Sequence, residues 1–393
     1  MKLNLSSTKT KLAINQLYHP TGKFKTDFYD EVYLEDDLNK TKFVPILLKE
    51  WFYLLKKDGY MVIDYKPNTI CDKQKLEQAM NWLWKGKYEI IAHDYIDLRL
   101  RFVCRKIVRT QIDKDDINKW TFGIITNGKV AQWIDQIIRS IREQKIPHYE
   151  IIVCGTYLDR QEKDVKCIPF NLRDDKGWIT KKKNLIVKNA KFENICMLHD
   201  RIVLAKNWYK GMKKWGNCFE NLGCRQLFNN QRVNDWVASH YFIKNKEGEK
   251  FSFESSVDYR DWYPDIWFLG QLNIFKKSII TKNNLWWDET LYYGEREDYQ
   301  FSKNLNDNGF IHRFNGYSSV ITLTNKYVDP TWIVYDTNAL NPRMPFNSVN
   351  AFLKFYSYLF LKLLTLFGIN FPFKTLENMR GKIYTAIRLL KNL

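Results

Sequence analysis

The sequence predicts an α/β protein in three parts. A small α/β unit covers residues 1–115, a larger one with a mostly parallel central sheet covers 119–335, and a helical basic tail covers 340–393. Three observations carry this. Strand and helix signals alternate up to about residue 115. From Thr121 an apolar strand, an amphipathic helix and a second apolar strand follow one another, a βαβ opening that builds a parallel sheet. Beyond residue 340 the chain becomes apolar and basic together.

In order, DEVYLE (Asp30–Glu35) reads as a strand and FVPILLKEWFYLLKK (Phe43–Lys57) as a strongly apolar helix that Gly59 ends. YMVIDY is the next strand. The helix KQKLEQAMNWLWKGK then leads to the strands YEIIAHDY and RFVCRKI. In the second unit TFGIIT (Thr121–Thr126) is a strand. The following helix places Val130, Trp133, Ile134, Ile137, Ile138 and Ile141 on one face, the spacing of a helix packed on a sheet. YEIIVCGT and KCIPF are strands, KKKNLIVKNAK is a helix, and NICMLHD is the strand after it. In the helix EDYQFSKNLND, Asp298, Phe301 and Leu305 lie at i, i+3 and i+7, which puts Asp298 on the inward side. In the tail, Phe352, Phe355, Tyr356, Leu359, Phe360, Leu363 and Leu366 recur at helical spacing, and eight Lys and Arg face one acid, Glu377. That pattern fits an interfacial amphipathic helix on anionic lipid. The alternative is a helix docked on the rest of the chain.

With 393 residues the chain can bury two proper cores, and 45% hydrophobic with 27% charged residues is a globular composition. The net charge of +18 calls for an anionic partner: lipid, nucleic acid or a nucleotide-linked substrate. The seven cysteines are scattered without a C-x-x-C, as expected of reduced buried thiols, and a zinc site has no support. The start, MKLNLSSTKTKLAIN, lacks the apolar core of a secretory signal. The longest apolar run, Ala351–Asn370, is broken by Lys354 and Lys362, so no span is expected. A cytoplasmic, peripherally membrane-associated protein is the expectation.

LLKKDGYMVI resembles the later half of a class I methyltransferase, where a helix ends in a glycine turn before a core strand. The glycine-rich cofactor loop of that family has no counterpart: before Asp30 there is one glycine, Gly22. The N-terminal region therefore reads as a degenerate methyltransferase-like domain that binds no S-adenosylmethionine, with an unrelated small α/β domain as the alternative.

From Thr121 to Leu305 the order of features resembles the family-2-like glycosyltransferases of GT-A fold. FGIITNGKVAQWIDQIIRSIREQKIPHYEIIVCGTYLD stands at the opening nucleotide-binding unit. KKKNLIVKNAKFENICMLHDRIVLAKNWY stands at the approach to the D-x-D motif. WFLGQLNIFKKSII and LWWDETLYYGEREDYQFSKNLNDNGF stand at the acceptor region and catalytic acid. The resemblance covers about half of the chain. It implies an inverting transfer of a sugar from a nucleotide diphosphate, UDP-linked by preference, to a glycan or lipid-linked acceptor.

Such chemistry needs a carboxylate to take the acceptor proton and cationic groups or a metal to offset the leaving diphosphate. Asp298 is the expected base, with Glu297 holding the acceptor or its loop; helix-dipole stabilisation of first-turn acids is the competing explanation. The resemblance puts Thr126, Asn127 and Asp159 at the nucleotide, Lys183 beside it, and Asp200 in the middle of the acidic triplet. His199 and Asp200 could hold Mn2+ or Mg2+. Arg201 stands where the family has a second acid, so either a metal or Arg201 with nearby lysines offsets phosphate charge. Trp267, Gln271, Trp286 and Trp287 are candidate acceptor contacts. Two other functions compete: an S-adenosylmethionine-dependent methyltransferase, disfavoured by the absent loop, and a basic nucleic-acid-binding protein, for which no signature is present.

Overall fold

The computed structural model describes residues 2–4, 19, 24–110, 116–157, 162–233, 235–244, 250–259 and 261–324. By compactness the chain divides into residues 1–327 with 335–341, and residues 328–334 with 342–393. The second unit, and with it the expected amphipathic tail over 340–393, lies outside the described residues.

The first sheet holds β1 (Lys2–Asn4), β2 (Tyr29–Glu35), β3 (Leu55–Tyr65), β4 (Tyr88–Ile96) and β5 (Arg99–Lys106), in the order β1-β2-β3-β5-β4. β1, β2 and β3 are parallel, and β4 and β5 close the sheet as an antiparallel hairpin. Two helices accompany it, α1 (Val44–Leu54) and α2 (Lys73–Trp84). α2 starts where the Asp72 carboxylate accepts from the Lys75 N–H at 2.8 Å, satisfying one free helix-end donor. α1 is shorter than its apolar run predicts. Leu55 leaves the helix to pair with Tyr29, so tertiary pairing overrides local helix preference. Gly59 accordingly does not end the helix. It lies inside β3, where an added Cβ would sit 2.9 Å from the Asp30 carbonyl oxygen, a close backbone approach that excludes a side chain.

The second sheet is built from β6 (Lys119–Ile125), β7 (His148–Cys154), β8 (Val165–Ile168), β9 (Asn194–His199), β10 (Ile202–Leu204), β11 (Asn221–Phe228) and β12 (Gln231–Arg232), with β16 (Leu272–Lys276) and β17 (Arg313–Thr322) completing it. A separate three-stranded sheet holds β13 (Val237–Lys244), β14 (Lys250–Ser256) and β15 (Ile266–Trp267). The order of the large sheet is β10-β17-β11-β16-β9-β6-β7-β8, with β12 paired to β11. β9, β6, β7 and β8 are parallel; β16 runs against them.

Helices cover both faces, as parallel strands require. On one side α3 (Ala131–Arg142) and α5 (Trp208–Trp215) bury Ile134, Ile137, Ile141, Trp208 and Met212 against Phe122 and Ile124. On the other, α4 (Ile179–Asn189), α6 (Lys277–Asn283) and α7 (Glu297–Asp307) bury Ile186, Ile280, Phe301 and Leu305 with Ile125 and Met197. The β6 side chains thus alternate between two cores. The expected α3 stripe is reproduced by its four isoleucines; Trp133 is only half-buried and Val130 precedes the helix.

The first sheet does not close a core of its own. Val32, Leu47, Trp51, Met61 and Phe102 belong to one apolar cluster with Trp236, Ile266, Phe268 and Phe314. Each such side chain contributes about 1.5–3 kcal/mol when fully buried, so the two sheets stabilise each other.

β6 is flanked by β7 on one side and β9 on the other. The chain leaves β6 toward β7 and leaves β9 toward the other side of the sheet, so the C-terminal ends of β6 and β9 form a topological switch point, where open α/β sheets place their ligand crevice.

Candidate active site

Thr126 follows β6 and is buried at this switch point. Its hydroxyl donates to Asp200 Oδ2 at 2.9 Å, and its N–H donates to the Cys154 carbonyl at 3.1 Å. Gly155 crosses directly over it with φ +140°; a Cβ there would lie 2.0 Å from the Thr126 carbonyl oxygen, so only glycine fits. Asn127 is exposed at the rim, its side chain accepting from the Lys129 N–H at 3.1 Å. Lys182, buried in the first turn of α4, donates to the Thr126 carbonyl at 2.6 Å and to Asp174 Oδ1 at 2.5 Å.

β9 ends in His199, followed by Asp200 and Arg201. Burial pushes the Asp200 carboxyl upward, opposed by the Thr126 hydrogen bond and by the charges of Arg201 and Lys182. Burial, with the charges of Lys183 and Arg201, holds His199 well below its ordinary value, so the imidazole is neutral. Its Nε2 is buried and has no hydrogen-bond partner among the described residues. Arg201 donates through Nη2 and Nε to Gln271 Oε1 at 3.1 and 3.4 Å, and Gln271 Nε2 donates to Gln226 Oε1 at 2.6 Å.

The opposite wall is the start of α7. Arg296 caps it in the left-handed region with φ 60°, a conformation that costs a non-glycine residue about 1 kcal/mol or more. Glu297 is 6% exposed and Asp298 half-buried. Asp298 Oδ2 accepts from the Gly270 N–H at 2.8 Å and Oδ1 from the Tyr299 N–H at 2.9 Å. Lys183 lies between the walls. It is fully buried, with Nζ 3.7 Å from Glu297 Oε1, 5.5 Å from the Trp287 ring centre and without a hydrogen bond among the described residues. Burial pushes the Lys183 ammonium down, opposed by Glu297 and Asp298. Burial pushes Glu297 up, opposed by Lys183 and reinforced by Asp298. Gly270 permits this crowding: a Cβ there would be 2.8 Å from Glu297 Oε1 and 3.1 Å from Lys183 Nζ.

The crevice therefore brings together Thr126, Lys183, His199, Asp200, Arg201, Gln271, Glu297 and Asp298, while Asp159 lies outside the described residues. Three expectations need correction, while half-buried Gln271 accepts from Arg201. Trp287 is 2% exposed and stacked on Phe301 with ring centres 3.7 Å apart, so it offers no face to a sugar. Trp267 is buried too, with Tyr299 edge-on to it. Finally, the buried stripe of α7 is Glu297, Phe301 and Leu305, spaced i, i+4 and i+8; Asp298 sits at its edge.

Lys182, Gln226 and Gly270 were not singled out from the sequence. Helical spacing could have found Lys182, since it precedes Ile186 by four residues, as Lys183 precedes Val187, and so shares their buried face. No local signal marks Gly270 or Gln226.

A divalent ion fits these residues poorly. Among the described residues no three His, Cys, Asp or Glu side chains converge for a metal. His199 has a nitrogen to offer, but Asp200 is engaged with Thr126, and Lys183 and Arg201 both act on His199 as like charges would on a metal. All seven cysteines are free. Among the described residues no helix is long and apolar enough to cross a membrane.

No protein-family model matches the chain, and no curated protein matches it. Among solved structures it is similar to S. aureus TarS 1-349 in complex with UDP-GlcNAc, at 14% identity over 55% of this chain and 62% of that one, with a TM-score of 0.37. It is also similar to S. aureus TarS, at 14% identity over 52% of this chain and 37% of that one, with a TM-score of 0.36. GalNAc-T7 with UDP, GalNAc and Mn2+ is similar at 12% identity over 61% of this chain and 47% of that one, with a TM-score of 0.37. The chain spans less than two thirds of the length of each of these structures, and its likeness to them is one of partial overall shape.

Proposed function

We propose that the protein is an inverting glycosyltransferase that takes a sugar from a nucleotide diphosphate, UDP-linked donors being the first to test. One observation carries this reading: an oriented carboxylate, Asp298, faces buried Lys183 and His199 across Gly270 at the switch point of a sheet covered on both faces. The donor lies over the ends of β6 and β9, with its nucleoside toward Thr126 and Asn127 and its diphosphate toward Lys183 and Arg201. The acceptor hydroxyl approaches from the α7 side. Its oxygen bonds to the anomeric carbon as the bond from that carbon to the diphosphate oxygen breaks. The electron pair leaves with the diphosphate, and the acceptor proton passes to Asp298. The Gly270 N–H orients that carboxylate, and one such displacement inverts the anomeric centre. Glu297, paired with Lys183, positions the wall rather than taking the proton.

In this reading the N-terminal sheet supports the transferase through the shared core and carries no chemistry of its own. The tail over 340–393 provides peripheral contact with a cytoplasmic membrane surface and so access to a lipid-linked acceptor. The test is donor hydrolysis and thermal shift with a panel of UDP-, GDP-, dTDP- and CMP-linked sugars. Turnover of one class is expected. Folded protein that neither binds nor turns over any of them, with or without candidate glycolipid acceptors, would contradict the reading.

A further inference from the structure

We propose that the donor diphosphate is held by fixed protein cations, Lys183 and Arg201, and that its binding needs no divalent metal; this rests on the nucleotide-sugar reading above. The charges around the crevice decide between the two ways of offsetting phosphate. A divalent ion requires several converging oxygen or nitrogen ligands. Here the end of β9 offers His199 and an Asp200 already engaged by Thr126, and Arg201 comes next. An ion placed there would meet two positive side chains, one of them in the interior.

An anion meets the opposite situation. Lys183 buries an ammonium with three N–H donors and no hydrogen bond among the described residues, and Glu297 at 3.7 Å supplies attraction without accepting one. Burying a charge in that state is costly unless a partner arrives. Arg201 is aimed rather than swinging. Gln271 holds one edge of its guanidinium, and Gln226 in turn holds Gln271 at 2.6 Å. Among the described residues the other edge has no hydrogen-bond partner and can donate to a phosphate, the geometry in which arginine binds oxyanions best. As the bond from sugar to diphosphate breaks, charge accumulates on the leaving oxygen, and two cations already in place need no reorganisation to stabilise it. Gln226 and Gln271 are thus positioning residues for Arg201.

The probe is nucleoside diphosphate alone. Binding of UDP, GDP and dTDP is measured by calorimetry with EDTA and then with excess Mn2+, on wild-type protein, Arg201→Gln and Arg201→Asp. Thermal melts confirm that each variant is folded. For the diphosphate that binds, the wild-type affinity is expected to differ by less than about threefold between the two conditions. Arg201→Gln should weaken binding about 10- to 100-fold in EDTA, the loss of a charge-assisted hydrogen bond. Arg201→Asp should abolish binding in EDTA and recover part of it with Mn2+, because it adds a carboxylate beside Asp200 and removes a repelling charge. Wild-type binding that appears only with Mn2+, or an unchanged affinity in folded Arg201→Gln, would overturn the inference while leaving the transferase reading intact. Binding of none of the diphosphates in either condition would overturn both.

Discussion

Lys106 and Lys183 are buried to the same degree, 1% and 0% exposed, yet they are built oppositely. Lys106 donates to Asp27 Oδ1 at 2.8 Å, to the Phe52 and Leu55 carbonyls at 3.1 and 2.6 Å, and to the Thr110 hydroxyl. Lys183 has no hydrogen bond among the described residues. The same contrast separates two larger regions. Where α1 meets the second sheet, Glu50 pairs with Arg313 and with His19 Nδ1 at 2.7 Å, and Lys49 pairs with Glu220 at 3.0 Å. Those charges are paired within the protein. In the crevice, the ammonium of Lys183 and Nε2 of His199 are buried with hydrogen-bonding capacity left over. A buried polar group that lacks a partner destabilises the fold, and a ligand that pairs with Lys183 and His199 would relieve that cost. Lys106 is satisfied by the fold, whereas Lys183 Nζ and His199 Nε2 keep a capacity that a ligand can use.

The largest effect that would sharpen this division is expected at Asp298. Asp298→Asn keeps an acceptor for the Gly270 N–H but cannot take a proton, so transfer should fall about 10²–10⁴-fold with an unchanged melting temperature. At the seam the readout reverses. Glu50→Gln removes the carboxylate charge that Arg313 and His19 share in the interior and should cost about 3–5 kcal/mol in denaturant unfolding, whatever donor is present. Lys183→Met removes the countercharge of buried Glu297 but breaks no hydrogen bond among the described residues, so it should cost less than Lys106→Met, which breaks four, and yet abolish nucleotide binding. If Lys183→Met destabilised the protein as much as Lys106→Met, the division would fail.

A pH titration gives a third comparison. Burial, opposed by Glu220 and aided by Lys87, holds the Lys49 ammonium down at about 8, against 10.5 in the unfolded chain. Between those values the unfolded chain binds the extra proton. The stability contributed by this site therefore rises with pH across the window, by about 3 kcal/mol at most. Unfolding of wild type and Lys49→Met compared from pH 8 to 10.5 should show a slope that the variant lacks; parallel curves would contradict it. The smallest effect is expected from Gly270→Ala, where the new methyl crowds Glu297 and Lys183: about 1–3 kcal/mol of stability and slower turnover. Full activity there would argue against a tightly packed wall.

Much of the second sheet was legible because its signals are local. The apolar run Phe122–Ile125 and the isoleucine spacing in α3 mark a strand and a packed helix by period alone. Thr126, Asp200 and Asp298 were singled out through the resemblance in motif order, which assigns roles to two strand ends and a helix start. The rest depended on partners distant in sequence. Leu55 enters β3 because Tyr29 is there to pair with it, which no window around Phe43–Lys57 reveals. Trp287 is core because Phe301 stacks on it, and with 14 tryptophans composition could not tell core from surface. The run KKK hides three environments: Lys181 half-exposed on Glu289, Lys182 under Thr126, and Lys183 fully buried beside Glu297.

The most direct measurement is an experimental structure of the protein with a bound nucleoside diphosphate. The account predicts the diphosphate beyond the C-terminal ends of β6 and β9, accepting hydrogen bonds from Lys183 Nζ and the Arg201 guanidinium, with Asp298 open toward the sugar side. A nucleotide bound elsewhere on the fold, with Lys183 Nζ still making no hydrogen bond, would contradict it.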